Sequence, residues 1–114
     1  MAESKIKASN ITEAINTGIT GVTAVKVGKI AALRISRTSQ TYTAGWNTLG
    51  TLPDSLKPSS LGSNFLGIDN TIASYSDAKV IKCNIGVDGR LYVYIPSDRT
   101  TVALLANVTY ITLN

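Results

Sequence analysis

The sequence has no histidine, one cysteine (Cys83), one tryptophan (Trp46) and three prolines. Each shortage removes a class of chemistry. General acid–base or nucleophilic catalysis needs a positioned base of suitable pKa, and without histidine only carboxylates remain. A lone cysteine excludes an internal disulfide framework and a cysteine zinc cluster. No EF-hand loop, His-Glu-x-x-His motif or Gly-rich phosphate loop occurs. No apolar run reaches the ~18 residues that suggest a membrane span, and residues 1–20 lack a signal-peptide core. The expectation is therefore no membrane insertion and, for a protein that works outside a cell, release by lysis or assembly into a larger particle in place of standard secretory export. Charged residues form 16% of the chain, below the roughly one quarter of an ordinary globular protein.

Thr, Ser, Asn and Gly fill that deficit, a composition suited to sheets and turns and common in extracellular and viral structural domains. With 114 residues and an apolar fraction of 44%, the chain can build one domain around a single modest core. Its net charge is +4, but the Lys and Arg residues are scattered along it. No basic block marks a nucleic-acid arm.

The clearest signal lies in residues 79–96. Ile81, Cys83 and Ile85 alternate with Lys82 and Asn84, and Leu91, Val93 and Ile95 alternate with Tyr92 and Tyr94. That is the period of two half-buried strands. Between them Asp88-Gly89 is a pair that lets the chain reverse tightly. A β-hairpin follows, with an apolar inner face and an outer face carrying Lys82, Asn84, Tyr92 and Tyr94. Cys83 falls inward and reads as a buried, inert thiol. The rest of the chain must cover the apolar face.

Other segments repeat the pattern. Val25 and Val27 alternate with Ala24 and Lys26, Gly28-Lys29 suits a type II′ turn, and Ala31, Leu33 and Ile35 share one face of a return strand. Residues 46–52 form a further strand closed by Pro53, which cannot donate to a central ladder. Residues 64–68 and 71–76 are weaker strand candidates. Residues 101–105 pair briefly and residues 108–113 end the chain as a strand. Short strands at this spacing, separated by turn signals, predict an all-β fold: a small antiparallel β-barrel or jelly-roll-like sandwich.

Residues 1–20 differ from the rest. Asn10-Ile11-Thr12-Glu13 has the cap pattern of a helix start, Ile11 and Ile15 fall on one face, and Gly18 ends the segment. The division is a neck or linker segment at 1–20, helical or extended, and a β-barrel head domain at 21–114. The neck either packs on its own barrel or associates with copies of itself.

The acids are Glu3, Glu13, Asp54, Asp69, Asp77, Asp88 and Asp98. Most of the aspartates sit where turns are expected and bond their own backbone. No spacing places two of them as a glycosidase pair, so no enzyme, cofactor or metal is expected. Binding remains. A sugar is held by stacking its apolar face on an aromatic ring while polar side chains bond its hydroxyls. Tyr92 and Tyr94, opposite Lys82 and Asn84 and near Arg90, supply both parts; the same tyrosines also suit cross-strand packing or a subunit contact. Trp46 reads as a core or interface plug ahead of a sugar platform.

The order of signals carries a resemblance. Gly45-Trp46-Asn47, Gly50-Thr51-Leu52-Pro53, Leu56-Lys57-Pro58, the strand–Asp-Gly–strand hairpin and Asn107-Val108-Thr109-Tyr110-Ile111 follow one another. Over residues 22–114 the sequence resembles the C-terminal head domain of tailed-phage receptor-binding proteins, the baseplate-tip and tail-fibre proteins of phages infecting Gram-positive hosts. The resemblance implies a small β-barrel or jelly-roll head, a homotrimer, and host cell-wall saccharide bound near clefts between protomers. It places saccharide contacts on outward hairpin positions, here Lys82, Asn84 and Tyr94; the sequence departs from the family pattern in carrying Lys82 and Tyr94 where some members have histidine and tryptophan contacts. Arg90 and Tyr92 are added from the residues themselves. The implied location is the phage tail tip of the virion, extracellular after lysis, with other tail or baseplate proteins as neighbours.

Many weak sites on one particle gain avidity that no single site has, and self-association also covers apolar and tyrosine surface left outside a small, weakly charged sandwich. Three alternatives stay open: a purely structural particle component (cap or decoration) without glycan binding, an OB-like barrel for single-stranded nucleic acid, which the dispersed charge disfavours, and a polysaccharide-cleaving enzyme.

Overall fold

Alternating apolar residues and glycine turns lay down ten strands in the computed structural model, which describes residues 11–74, 76–98 and 100–114. They are β1 (Glu13–Ile15), β2 (Val22–Val27), β3 (Ile30–Ser36), β4 (Gln40–Thr41), β5 (Gly45–Thr51), β6 (Ser63–Asp69), β7 (Val80–Ile85), β8 (Arg90–Ile95), β9 (Thr101–Val102) and β10 (Leu104–Ile111). Eight of them form one antiparallel sheet in the order β1-β2-β3-β10-β6-β7-β8-β5, curled into a half-barrel. β4 and β9 pair as a separate ribbon. The all-β expectation holds. Among the described residues helical structure is confined to 3-10 turns at Asp54–Leu56 and Asp77–Lys79.

Local chemistry sets the hairpins. At the β7–β8 turn Gly89 adopts φ +87, and its N–H donates to Gly86 O at 2.9 Å. This is a tight turn followed by one left-handed residue, which favours glycine. At the β2–β3 turn Gly28 has φ +59, while no described non-glycine residue has positive φ. One left-handed position, in first place, is what the expected type II′ turn requires.

The concave face holds the core. Leu33 and Ile35 of β3, Ile81 and Ile85 of β7, Leu91 and Ile95 of β8 and Leu104 of β10 are all fully buried. Each such side chain stabilises the fold by about 1.5–3 kcal/mol relative to exposure. Cys83 lies among them, as its strand position predicts. β10 keeps seven register pairs with β3 but only three with β6. Gly67 lets β6 and β10 meet, because a Cβ there would fall 2.8 Å from Ala106 Cβ. Beyond that crossing the segment after Pro53 fills the gap: Leu56 is fully buried and Leu56 O accepts the Tyr110 hydroxyl at 2.7 Å.

The open side of the curl lies between its end strands, β1 and β5. The β1–β2 connection crosses it. Thr17, buried, donates its hydroxyl to Val22 O at 2.7 Å, and Ile19 rests on β5 where Gly50 lacks a side chain.

Four expectations are corrected. Of the segment expected at 1–20, residues 1–10 lie outside the described residues, and the rest is extended, with strand β1 in place of the helix that the cap pattern suggests: Glu13, Ala14 and Ile15 pair with Lys26, Val25 and Ala24. A two-turn helix is marginal alone, whereas pairing joins the segment to an existing sheet. Second, β2 keeps its period but turns the small pair Val22 and Ala24 inward, leaving Val25 and Val27 exposed. Third, the described residues of 71–76 form no strand; Asp69 instead accepts Thr71 N–H and ends the ladder in a side-chain-capped turn. Fourth, Trp46 is not in the core; it is 57% exposed.

Candidate functional site

Strands β6, β7, β8 and β5 are consecutive neighbours, so their convex faces form one surface. The register fixes its rows. Thr48 pairs with Tyr92, Tyr92 with Asn84, and Asn84 with Asn64, giving one row across four strands. In the next row Trp46 pairs with Tyr94, and Leu66 pairs with Lys82. One step along the β7–β8 ladder brings Lys82 beside Tyr94, with Nζ 5.9 Å from the ring centroid, at the outer reach of a cation–π contact.

The hairpin therefore delivers four of the expected residues, Lys82, Asn84, Tyr92 and Tyr94, to one face. Arg90 stands apart at the turn. Its Nε lies 3.4 Å from Asp88 Oδ2, its N–H donates to Asp88 Oδ1 at 3.0 Å, and it lines neither depression of the face.

The flanking strands complete the surface with residues that the alternation pattern did not assign. Trp46, from edge strand β5, meets Tyr94 edge to face, with ring centroids 5.3 Å apart and planes at 70°. Asn64 accepts a 2.7 Å hydrogen bond from Asn84 Nδ2, which also reaches Ser63 O at 3.3 Å. Leu66 is exposed at the end of the second row. Two open depressions result. One, of about 370 Å³, is lined by Trp46, Asn64, Phe65, Leu66, Lys82 and Cys83. The other, of about 280 Å³, is lined by Trp46, Asn64, Asn84 and Tyr92. Trp46 and Asn64 border both, so the two read as one bowl across the sheet.

The Cys83 thiol below the bowl is pushed from 9.0 to about 12, chiefly by burial and against a backbone hydrogen bond from Gly67, so it stays protonated and unreactive at neutral pH. Among the described residues no carboxylate lines either depression. Among the described residues no group of three or more potential metal ligands gathers. What the face offers is an exposed indole, two phenols, paired carboxamides and an ammonium group, all on a rigid sheet.

Elsewhere, a depression of about 380 Å³ includes Glu13, Lys26, Ser55 and Asn114. There Lys26 Nζ donates to Ser55 O and Asn114 O, both at 2.7 Å, and ties β2 to the segment after Pro53 and to Asn114. No protein-family model and no curated protein sequence matches the chain.

Proposed function

We propose that this protein is a non-catalytic receptor-binding head of a phage tail tip that adheres to host cell-surface saccharide through the convex face of β5, β6, β7 and β8, and that it acts as a homotrimer. The observation that carries the saccharide reading is the combination of exposed Trp46, edge-packed on Tyr94, with the Asn84–Asn64 amide pair across the same bowl. A flat aromatic surface takes the apolar face of a sugar ring, and carboxamides bond its hydroxyls. The indole needs no large rearrangement to bind, because its own neighbour holds it. The phage assignment rests on the order of sequence signals around Gly45-Trp46-Asn47, and an all-β head suits it.

The binding mode follows from the site. An open bowl gives weak, reversible contact, and several copies on one particle convert it to firm adhesion. The test is adsorption of the full chain to purified host wall polysaccharide, comparing wild type with Trp46→Ala, Lys82→Ala and Tyr94→Ala, together with the solution mass. Saturable adsorption lost in Trp46→Ala, by an assembly of three chains, supports the proposal. Adsorption that is equal in all four proteins removes this face from it.

A specific observation favours a second reading, a structural particle component. Val27, Ile30 and Ile111 lie in one row across β2, β3 and β10, and all three are exposed. A contiguous apolar row suits a protein contact. A stable assembly without measurable glycan adsorption would select that reading.

A further inference from the structure

Resting on the saccharide reading of the same face, we infer that its ligand is an acidic saccharide, with a sugar ring against Trp46 and a carboxylate or phosphodiester group on Lys82. Among the described residues lining the two depressions, Lys82 is the one charged side chain. The ion pairs among the described residues are Lys57–Asp54 and Arg90–Asp88, and neither involves Lys82. Lys82 is exposed, and its Nζ lies 5.9 Å from the centroid of the Tyr94 ring. An aromatic ring at that distance does not neutralise the charge.

The indole and the ammonium are also within one ligand's reach. Trp46 lies 5.3 Å from the Tyr94 ring, and Lys82 Nζ lies 5.9 Å from it on the same face. A substituted sugar ring or a disaccharide spans that gap. The remaining polar groups, the Asn64 and Asn84 carboxamides, the Tyr92 hydroxyl and the Trp46 N–H among them, are uncharged, so among the described residues the bowl offers a cation and no anion. An uncharged sugar offers the ammonium only neutral hydroxyl acceptors; an acidic one adds a charged acceptor and a stronger hydrogen bond.

Binding of the full chain to phosphomannan, polygalacturonate, neutral mannan, polyglutamate and oligo(dT), at low and high salt, tests this. The expected result is tighter binding of at least one acidic glycan than of mannan, weakening as salt rises. Lys82→Gln then loses about fivefold more on that glycan than on mannan, and Lys82→Arg keeps the preference. Trp46→Ala loses the acidic glycan while leaving any polyglutamate binding as it was. A preference between phosphomannan and polygalacturonate identifies which anion is read. Mannan bound as tightly as both acidic glycans, with Lys82→Gln silent, overturns the acidic ligand and leaves the saccharide reading standing. Binding to no glycan, or tighter binding to oligo(dT) or polyglutamate than to every glycan, overturns both.

Discussion

Trp46 and Tyr94 stand directly opposite one another on β5 and β8, and their rings meet at 70° with centroids 5.3 Å apart. The pair fixes a large indole on the outside of an edge strand, where it is 57% exposed. Such a pair contributes about 0.5–1.5 kcal/mol. Trp46→Ala is therefore expected to lower stability by only that amount while reducing saccharide affinity at least tenfold, roughly the effect of losing an aromatic hot spot. Urea unfolding and polysaccharide adsorption on the same preparation check the split. A large stability loss with unchanged adsorption would make the indole a structural prop.

The seam of the half-barrel depends on a missing side chain. A Cβ at Gly50 would lie 2.7 Å from Ile19 Cγ1 and 3.0 Å from its Cδ1. Gly50→Ala is expected to cost about 1–3 kcal/mol through overpacking. Ile19→Ala in the same chain should return part of that loss, with a coupling of about 0.5–3 kcal/mol in a double-mutant cycle. Strict additivity would mean that Ile19 does not close the seam against β5.

Alkaline pH should weaken the fold through two buried acids. Burial raises the Cys83 thiol from 9.0 to about 12 and the Tyr110 phenol from 10.0 to about 12. In that window the folded chain keeps protons that the unfolded chain has released, so stability falls as pH rises. Their contribution is whole below pH ~9 and is lost progressively toward pH ~12. Cys83→Ala and Tyr110→Phe should each flatten the decline measured by urea unfolding at a series of alkaline pH values. Tyr110→Phe also loses its bond to Leu56 O, at about 1–3 kcal/mol for the carbonyl left unpaired. An unchanged slope in both variants would contradict the assignment.

How much of this was legible in the sequence differs strand by strand. Residues 79–96 announced themselves because both strands alternate strictly and Asp88-Gly89 marks the reversal, so Lys82, Asn84, Tyr92 and Tyr94 could be placed on the outer face. β5 could not be oriented that way. Its Trp46 and Leu49 fall on opposite faces across a register shift between Thr48 and Gly50, and size alone argues for burying the indole. β6 hid Asn64 and Leu66 for a related reason. Its inward positions are Phe65, Gly67 and Asp69, where a glycine admits a close strand and a buried aspartate caps a turn. Alternation there gives no apolar stripe to read. The cap-like Asn10-Ile11-Thr12-Glu13 misled because a local signal worth about 1 kcal/mol competes with joining a ready sheet edge.

The most direct measurement uses the fact that Trp46 is the chain's one tryptophan, so indole emission reports the proposed site alone. Titrating the full chain with purified host wall polysaccharide should shift that emission saturably to shorter wavelength as a sugar ring displaces water from the exposed indole, with a midpoint matching adsorption measured separately. Adsorption that proceeds while the emission stays unchanged, or no adsorption at all, would contradict the convex face of β5, β6, β7 and β8 as the binding surface.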